Sequence, residues 1–437
     1  MNHDSTVIVG IGFKAAIVGA VTWGAIPGVA AAEWSTQTLG GMNVQIYTPA
    51  STSPTGDGRA LMVVLHGCTQ TAAQLRQYGN FEGAADMFGV VVALPDVPNG
   101  GVVAGCWDYY GPLHSRATKH TGPLVTMTEA LRDDAALGID ADQMYILGLS
   151  SGGGQALVTG CLAPDLYAGV GAIAAPGLGT GLTDAGSVAT TGAQAASLCQ
   201  QLAGANAADL QSQLGIVLND SMDFTVAQGY NAVNVETFAA VMSDGLDAMT
   251  NVATDMSQLV GADPAGTLTI YADGEGDRIA NLQTMGLGHN WPAGSGAMGG
   301  VMPLTFVASQ GVNLAWFAAE FFATHNVRTG GWVNPGGSGG GDSTGGDDGD
   351  GSGGGGEGSG GGGRGASASA GSAGDASGGG DATGSAASGG GALDDGRIEP
   401  TGCQCHAGRS GSPWRALGLA VLFVLASARR RGATCRA

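Results

Sequence analysis

Positive charge is what this chain has least of. Its 16 Lys and Arg stand against 36 Asp and Glu, giving a formal net charge of −20 and a pI near 4.4. Phosphate binding needs clustered cations, so this balance argues against nucleic acid as a partner. The acidic residues are spread along the chain, which suits solubility in a salty or extracellular setting. The seven cysteines include no Cys-x-x-Cys pair, which argues against a zinc site. Glycine is the opposite case. The 82 glycines far exceed the usual share of about 7%, but the excess is concentrated after residue 335.

The composition divides the chain. Residues 15–32 form an apolar stretch behind Lys14 and end with Ala30 and Ala32 in an A-x-A pattern. This reads as a secretory signal over residues 1–32, with a membrane anchor as the other reading. Residues 33–334 alternate short apolar runs (61–65, 90–94, 144–149, 170–174, 215–218) with amphipathic stretches such as 71–88 and 124–137. That alternation predicts an α/β fold, a mostly parallel sheet with helices on both faces, and a closing apolar helix over 312–325. Some 300 residues are enough for one large domain. Residues 335–400 are almost wholly Gly, Ser, Ala and Asp, a flexible acidic linker. Residues 401–437 then place Cys403 and Cys405 before an apolar run of thirteen residues and the cluster Arg429, Arg430, Arg431. The run is short of the roughly 20 residues a membrane-spanning helix needs. The arrangement resembles the C-terminal sorting signals of myxobacterial surface proteins. That resemblance implies recognition by cell-surface sorting machinery, processing, and retention of a secreted protein at the surface.

One segment carries chemistry by its position. Residues 144–149 read as a buried strand, Gly148, Ser150 and Gly152 supply a G-x-S-x-G spacing, and a helical pattern follows. A tight strand-to-helix turn pushes a serine hydroxyl clear of the backbone above a helix N-terminus, the setting a serine nucleophile needs. In a chain this rich in glycine about one such spacing arises by chance, and Gly336, Ser338 and Gly340 are such a decoy, with neither strand nor helix around them.

A serine nucleophile needs a base, an acid to orient it and donors for an oxyanion, in the chain order Ser, Asp or Glu, His. Of the seven histidines, His289 alone follows Ser150 on a Gly-rich loop after a strand-like run, here 279–285. Asp220 and Asp223 both lie just past the run 215–218, and spacing alone does not choose between them. The run 61–65 ends in His66-Gly67, whose following backbone N–H can share an oxyanion site with that of Ser151.

The segments LHGCTQTA, GCWDYYG, IDADQMYILGLSSGGGQA, DSMDFTV and GLGHNWPAG, in this order over residues 40–325, resemble the polyhydroxybutyrate depolymerase-like esterases, which include feruloyl and acetylxylan esterases. The resemblance implies an α/β-hydrolase fold and a carboxylic ester hydrolase that uses Ser150, Asp223 and His289 and no cofactor or metal. It selects Asp223 over Asp220 as the acid. It also implies an oxyanion donor at Cys68 and a disulfide between Cys68 and Cys106. Parity suggests a second disulfide, Cys161 with Cys199. The chain departs from the family at Asp220-Ser-Met, where Gly-Thr-Ala is usual, and at Ser151, where alanine is common. Trp107, Tyr109, Tyr110 and Trp291 are expected near the site as substrate-binding aromatics, with packing in the core as their other reading. An ester, as a small molecule or an oligomer, is the expected partner. Short-chain, hydroxyalkanoate-type and feruloyl or acetyl polysaccharide esters all fit. With no periodic segment after the domain, soluble or amorphous esters are expected over crystalline polyester. An acyltransferase using the same three residues, and a catalytically silent surface protein, are the competing readings.

Overall fold

The computed structural model describes residues 32–295 and 305–331. The linker, the sorting tail and all but the last residue of the secretory signal lie outside the described residues.

A ten-stranded sheet organises the described chain. Its strands are β1 (Glu33–Leu39), β2 (Met42–Thr48), β3 (Arg59–Leu65), β4 (Val90–Pro95), β5 (Ile139–Leu149), β6 (Gly169–Ile173), β7 (Leu214–Asp220), β8 (Thr250–Asp255), β10 (Gly266–Asp273) and β11 (Gly276–Thr284), with β9 (Gly261–Ala262) outside it. The order is β1-β2-β4-β3-β5-β6-β7-β11-β10-β8. From β4 through β11 all neighbours run parallel, and antiparallel strands close both edges. Two-residue strands β12 (Trp291–Pro292), β13 (Val307–Ala308) and β14 (Gly311–Val312) tie down the loops after β11, β12 pairing with β13 and β14 with β9.

The sheet has apolar cores on both faces, as parallel strands require. Leu61, Val63 and Leu65 of β3 face one core, and Met62 and Val64 face the other, which follows from the two-residue side-chain period of a strand. The first core is covered by α3 (Thr121–Arg132), α4 (Ser151–Leu162), α5 (Gly192–Ala203) and α6 (Tyr230–Met242). The second is covered by α1 (Ala72–Tyr78), α2 (Glu82–Phe88) and α7 (Leu314–His325). This is the mostly parallel sheet with helices on both faces that the alternating pattern predicts, and the α/β-hydrolase arrangement that the resemblance implies.

The amphipathic stretch 71–88 is two helices, α1 and α2. The break is at Asn80, whose φ of 59° no helix accepts, and its amide donates to Ala293 O at 2.8 Å. Strands β8 and β10 escape the sequence pattern because neither is an apolar run. Every residue of β8 is exposed.

Candidate active site

Ser150 sits between β5 and α4 with φ 58° and ψ −120°, a conformation that non-glycine residues adopt only under constraint. The constraint is close packing. A Cβ on Gly152 would stand 2.5 Å from Leu65 O and His66 O, and one on Gly148 would stand 2.5 Å from the Gly152 carbonyl carbon. Both glycines are therefore required for β3, β5 and α4 to meet here. Ser150 N–H donates to Ile173 O at 2.8 Å, which fastens the turn to β6. Every residue of α4 is buried. Its N-terminus is thus held beneath the serine.

The turn after β3 lies against this serine. Gly67 packs so closely that a Cβ there would be 3.3 Å from the Ser150 Cβ. His66 is buried with both ring nitrogens engaged: Nδ1 lies 2.8 Å from Gly67 O and Nε2 accepts from Val97 N at 3.2 Å. Those partners define a neutral imidazole that donates from Nδ1, and burial holds its pKa below the ordinary histidine value. The backbone N–H groups of Cys68 and Ser151 donate to no group among the described residues. Such orphan donors on a turn and at a first helical position are available to a developing oxyanion.

Both expected disulfides are present, Cys68–Cys106 and Cys161–Cys199. The first binds the 101–106 loop to the turn after β3, and Thr69 N–H reinforces it by donating to Ala104 O at 2.8 Å. Ser151 has a use for its hydroxyl, which accepts from Trp107 N at 3.3 Å. The residue after the disulfide is thereby pinned to the start of α4.

On the other side of Ser150, Asp223 follows β7 and His289 follows β11. His289 Nδ1 and Asp223 Oδ2 are 2.8 Å apart. Asp223 Oδ1 accepts from Thr225 N at 2.8 Å and from Val226 N at 3.0 Å, which fixes the carboxylate and leaves Oδ2 for the ring. The structure thus joins Asp223 to His289, while Asp220 bonds elsewhere. Its oxygens accept from Met222 N, Gly288 N, Leu287 N and Thr284 Oγ1.

A residue that sequence reasoning passed over links the two sides. Gln70 Oε1 accepts from Gly67 N at 2.6 Å, and its Nε2 donates to Thr305 O and Phe306 O. The ring of Phe306 stands edge-on to His289, with centroids 6.1 Å apart. Gln70 lies within the quoted HGCTQ segment, but a partner more than 230 residues away gives no local signal.

The expectation that aromatics line the substrate site is corrected. Trp107 is 0% exposed, Tyr109 3% and Trp291 0%. Trp107 Nε1 donates to His66 O at 2.9 Å and Trp291 Nε1 to Gly79 O at 3.3 Å, so their polar atoms are used internally. Tyr109 packs against Gly154, where a Cβ would meet its ring at 2.8 Å. These side chains shape the loops from within. Tyr110, partly buried, packs on Tyr109 with ring centroids 4.2 Å apart. The exposed apolar side chains near Asp223 and His289 in the chain are instead Phe224 (82%), Met285 (62%) and Met222 (51%).

Residues 44–216 match the family model described as Esterase PHB depolymerase. The chain is 33% identical over 320 residues to a poly(3-hydroxybutyrate) depolymerase of Ralstonia pickettii, covering 70% of this chain and 62% of the relative. It is 26% identical over 132 residues to feruloyl esterase B of Neurospora crassa, covering 29% of this chain and 41% of the relative. Among solved structures it resembles an acetyl xylan esterase from Aspergillus awamori, with a TM-score of 0.47 and 17% identity over 59% of this chain and 94% of that one. The chain spans less than two thirds of the length of the curated relatives it matches. The segment that matches the family model runs from β2 into β7 and includes the turn after β3 and the Ser150 turn.

Proposed function

We propose that this protein is a secreted serine carboxylic ester hydrolase. The observation that carries the reading is the 2.8 Å contact between His289 Nδ1 and Asp223 Oδ2, made on loops that leave the same sheet end as the Ser150 turn. In this reading Ser150 Oγ adds to the ester carbonyl carbon as His289 Nε2 takes its proton. The carbonyl electron pair moves onto oxygen and is met by the N–H groups of Cys68 and Ser151. Asp223 orients the ring and stabilises its charged form. Collapse of the adduct expels the alcohol, which takes the proton from His289. Water then repeats the sequence on the acyl-enzyme and frees the acid.

The family match and the rim support a reading of the substrate class. Hydroxyalkanoate-type and aryl or acetyl esters suit a site bordered by Phe224, Met222 and Met285. Export is supported by two disulfides, which persist in oxidising compartments.

The test is Ser150→Ala in the full chain. Turnover of p-nitrophenyl butyrate and covalent labelling by a fluorophosphonate should both vanish, with the melting temperature within a few degrees of wild type. Labelling that persists, or that maps to another serine, would overturn the assignment.

A further inference from the structure

We infer that Asp220 is a positioning residue for His289, acting through the backbone of the loop that carries the histidine. The inference rests on the ester-hydrolase reading of the site. Asp220 is the last residue of β7, and its neighbour across the parallel ladder is Thr284, the last residue of β11. From this final rung one chain runs three residues to Asp223 and the other five residues to His289. The Asp220 carboxylate stands at the fork and bonds to both branches. Oδ1 accepts from Met222 N at 2.7 Å and Gly288 N at 2.9 Å. Oδ2 accepts from Thr284 Oγ1 at 2.9 Å and Leu287 N at 3.0 Å.

Four donors fill the acceptor sites of a carboxylate, and Asp220 is only 1% exposed. No cation is among its partners, so the buried group is satisfied by directed N–H and O–H donors alone. That makes its geometry demanding. Shifting the 287–288 backbone would strand two N–H groups and weaken the carboxylate at once. Oδ1 thus holds the N–H of Gly288, one residue before His289, and the N–H of Met222, one residue before Asp223. A single carboxylate sets the separation of the two loops whose side chains meet at 2.8 Å. Glycine or alanine at this position would leave the Leu287 and Gly288 donors without their acceptor.

The experiment compares Asp220→Asn, Thr284→Val and a core control, Val92→Ala, in the full chain. An asparagine keeps one acceptor oxygen and turns an NH₂ toward the other two donors. Thr284→Val deletes one donor and leaves the loop backbone intact, so it serves if Asp220→Asn does not fold. Val92 is buried in β4, away from both loops, and reports what loss of stability alone does. Three readouts are taken at a temperature where all proteins are folded: kcat and KM on p-nitrophenyl butyrate, the fluorophosphonate labelling rate, and the downfield proton resonance of His289 Nδ1–H. Misplacing a catalytic group by about 1 Å costs on the order of 100-fold. Asp220→Asn should therefore lower kcat and the labelling rate roughly 10- to 100-fold with KM nearly unchanged. Thr284→Val should lower them several-fold, and both variants should broaden or shift the resonance. Val92→Ala should melt earlier and keep kcat and the resonance. Wild-type kcat and an unmoved resonance in either Asp220→Asn or Thr284→Val would overturn the inference. A wild-type protein that hydrolyses no ester would instead sink the functional reading, and the resonance would still decide whether Asp220 holds the ring.

Discussion

The two sides of the candidate site are held by different forces. The Ser150 side is steric and covalent: β3, β5 and α4 approach until Gly152 has no room for a Cβ, and the Cys68–Cys106 disulfide braces the adjoining turn. The Asp223–His289 side is polar: two loops leave β7 and β11 and are joined by hydrogen bonds, with exposed Phe224, Met222 and Met285 outside them. A nucleophile needs one strained conformation, which packing can enforce. A base must receive and return a proton, which a hydrogen-bonded ring allows. The difference teaches that such a site can be rigid on one side by exclusion of volume and on the other by satisfaction of donors.

The largest expected effect compares two glycine-to-alanine changes. Gly152→Ala drives a Cβ into two backbone carbonyls that no rotamer change can relieve, so a cost beyond about 3 kcal/mol and loss of soluble protein are expected. Gly288→Ala, at φ 69° with its nearest neighbours 3.7 Å away, meets only the backbone penalty of about 1–2 kcal/mol. Thermal melting of both variants checks this. A Gly152→Ala protein that melts no earlier than Gly288→Ala would dissolve the contrast.

The disulfides come next. Each spans a sequence separation of 38, so the loop-entropy model gives each about 4 kcal/mol. Their effects on activity should part. Replacing Cys68 and Cys106 by alanine should lower kcat as well as the melting temperature, because the loosened turn carries the Cys68 N–H. Replacing Cys161 and Cys199, which tie α4 to α5, should lower the melting temperature alone. Equal kcat losses in the two double variants would show that the disulfide does not act through the turn after β3.

Acid should probe the Ser150 side through His66. Burial lowers its folded pKa, so as pH falls below about 6.5 the unfolded chain takes up the proton first. Stability is therefore full above the ordinary histidine value and is lost downward from it, by up to about 1.4 kcal/mol per pH unit until the folded pKa is reached. The hydrogen bond to Gly67 O and, less, nearby Asp96 oppose the shift without cancelling it. His114, His120 and His325 are lowered as well and add to the same trend. His66→Gln should flatten the fall in melting temperature between pH 7.5 and 5. An unchanged slope would mean that His66 is not the dominant sensor.

How much of this was legible in the sequence follows the same division. The Ser150 side is local. A buried run, a tight glycine spacing and a helix lie within twenty residues, and the strands at 61–65, 90–94, 144–149 and 170–174 all fall where their apolar runs place them. The choice between Asp220 and Asp223 is not local. It depends on β7 pairing with β11 some 64 residues on, and only the resemblance singled out Asp223. The aromatics misled for a physical reason. A tryptophan on a Gly-rich loop reads the same whether it faces solvent or supports the loop from below, and Trp107 and Trp291 support it. Asp220 stood out only as a rival to Asp223 and as a departure from the family pattern, because its four donors come from residues that the fold, not the sequence, brings together.

The smallest expected effect concerns the rim of the polar side. Phe224 is 82% exposed beside Asp223, and Met285 and Met222 are also more than half exposed. A single exposed apolar residue needs no explanation, but three on the two loops that carry Asp223 and His289 offer a surface an apolar acyl chain could cover. Phe224→Ser removes the largest of them and touches neither the Asp223–His289 contact nor the core. Its melting temperature should stay near wild type, since exposed substitutions usually change stability by less than about 0.5 kcal/mol. The effect should appear as a trend in KM. On p-nitrophenyl acetate the variant should match wild type, and from butyrate to octanoate its KM should rise by a growing factor. That growth reports contact between the acyl chain and the rim. If the ratio of variant to wild-type KM stays flat across the series, acyl chains do not lie on this rim, and the polar side is bounded by apolar residues that the substrate never meets.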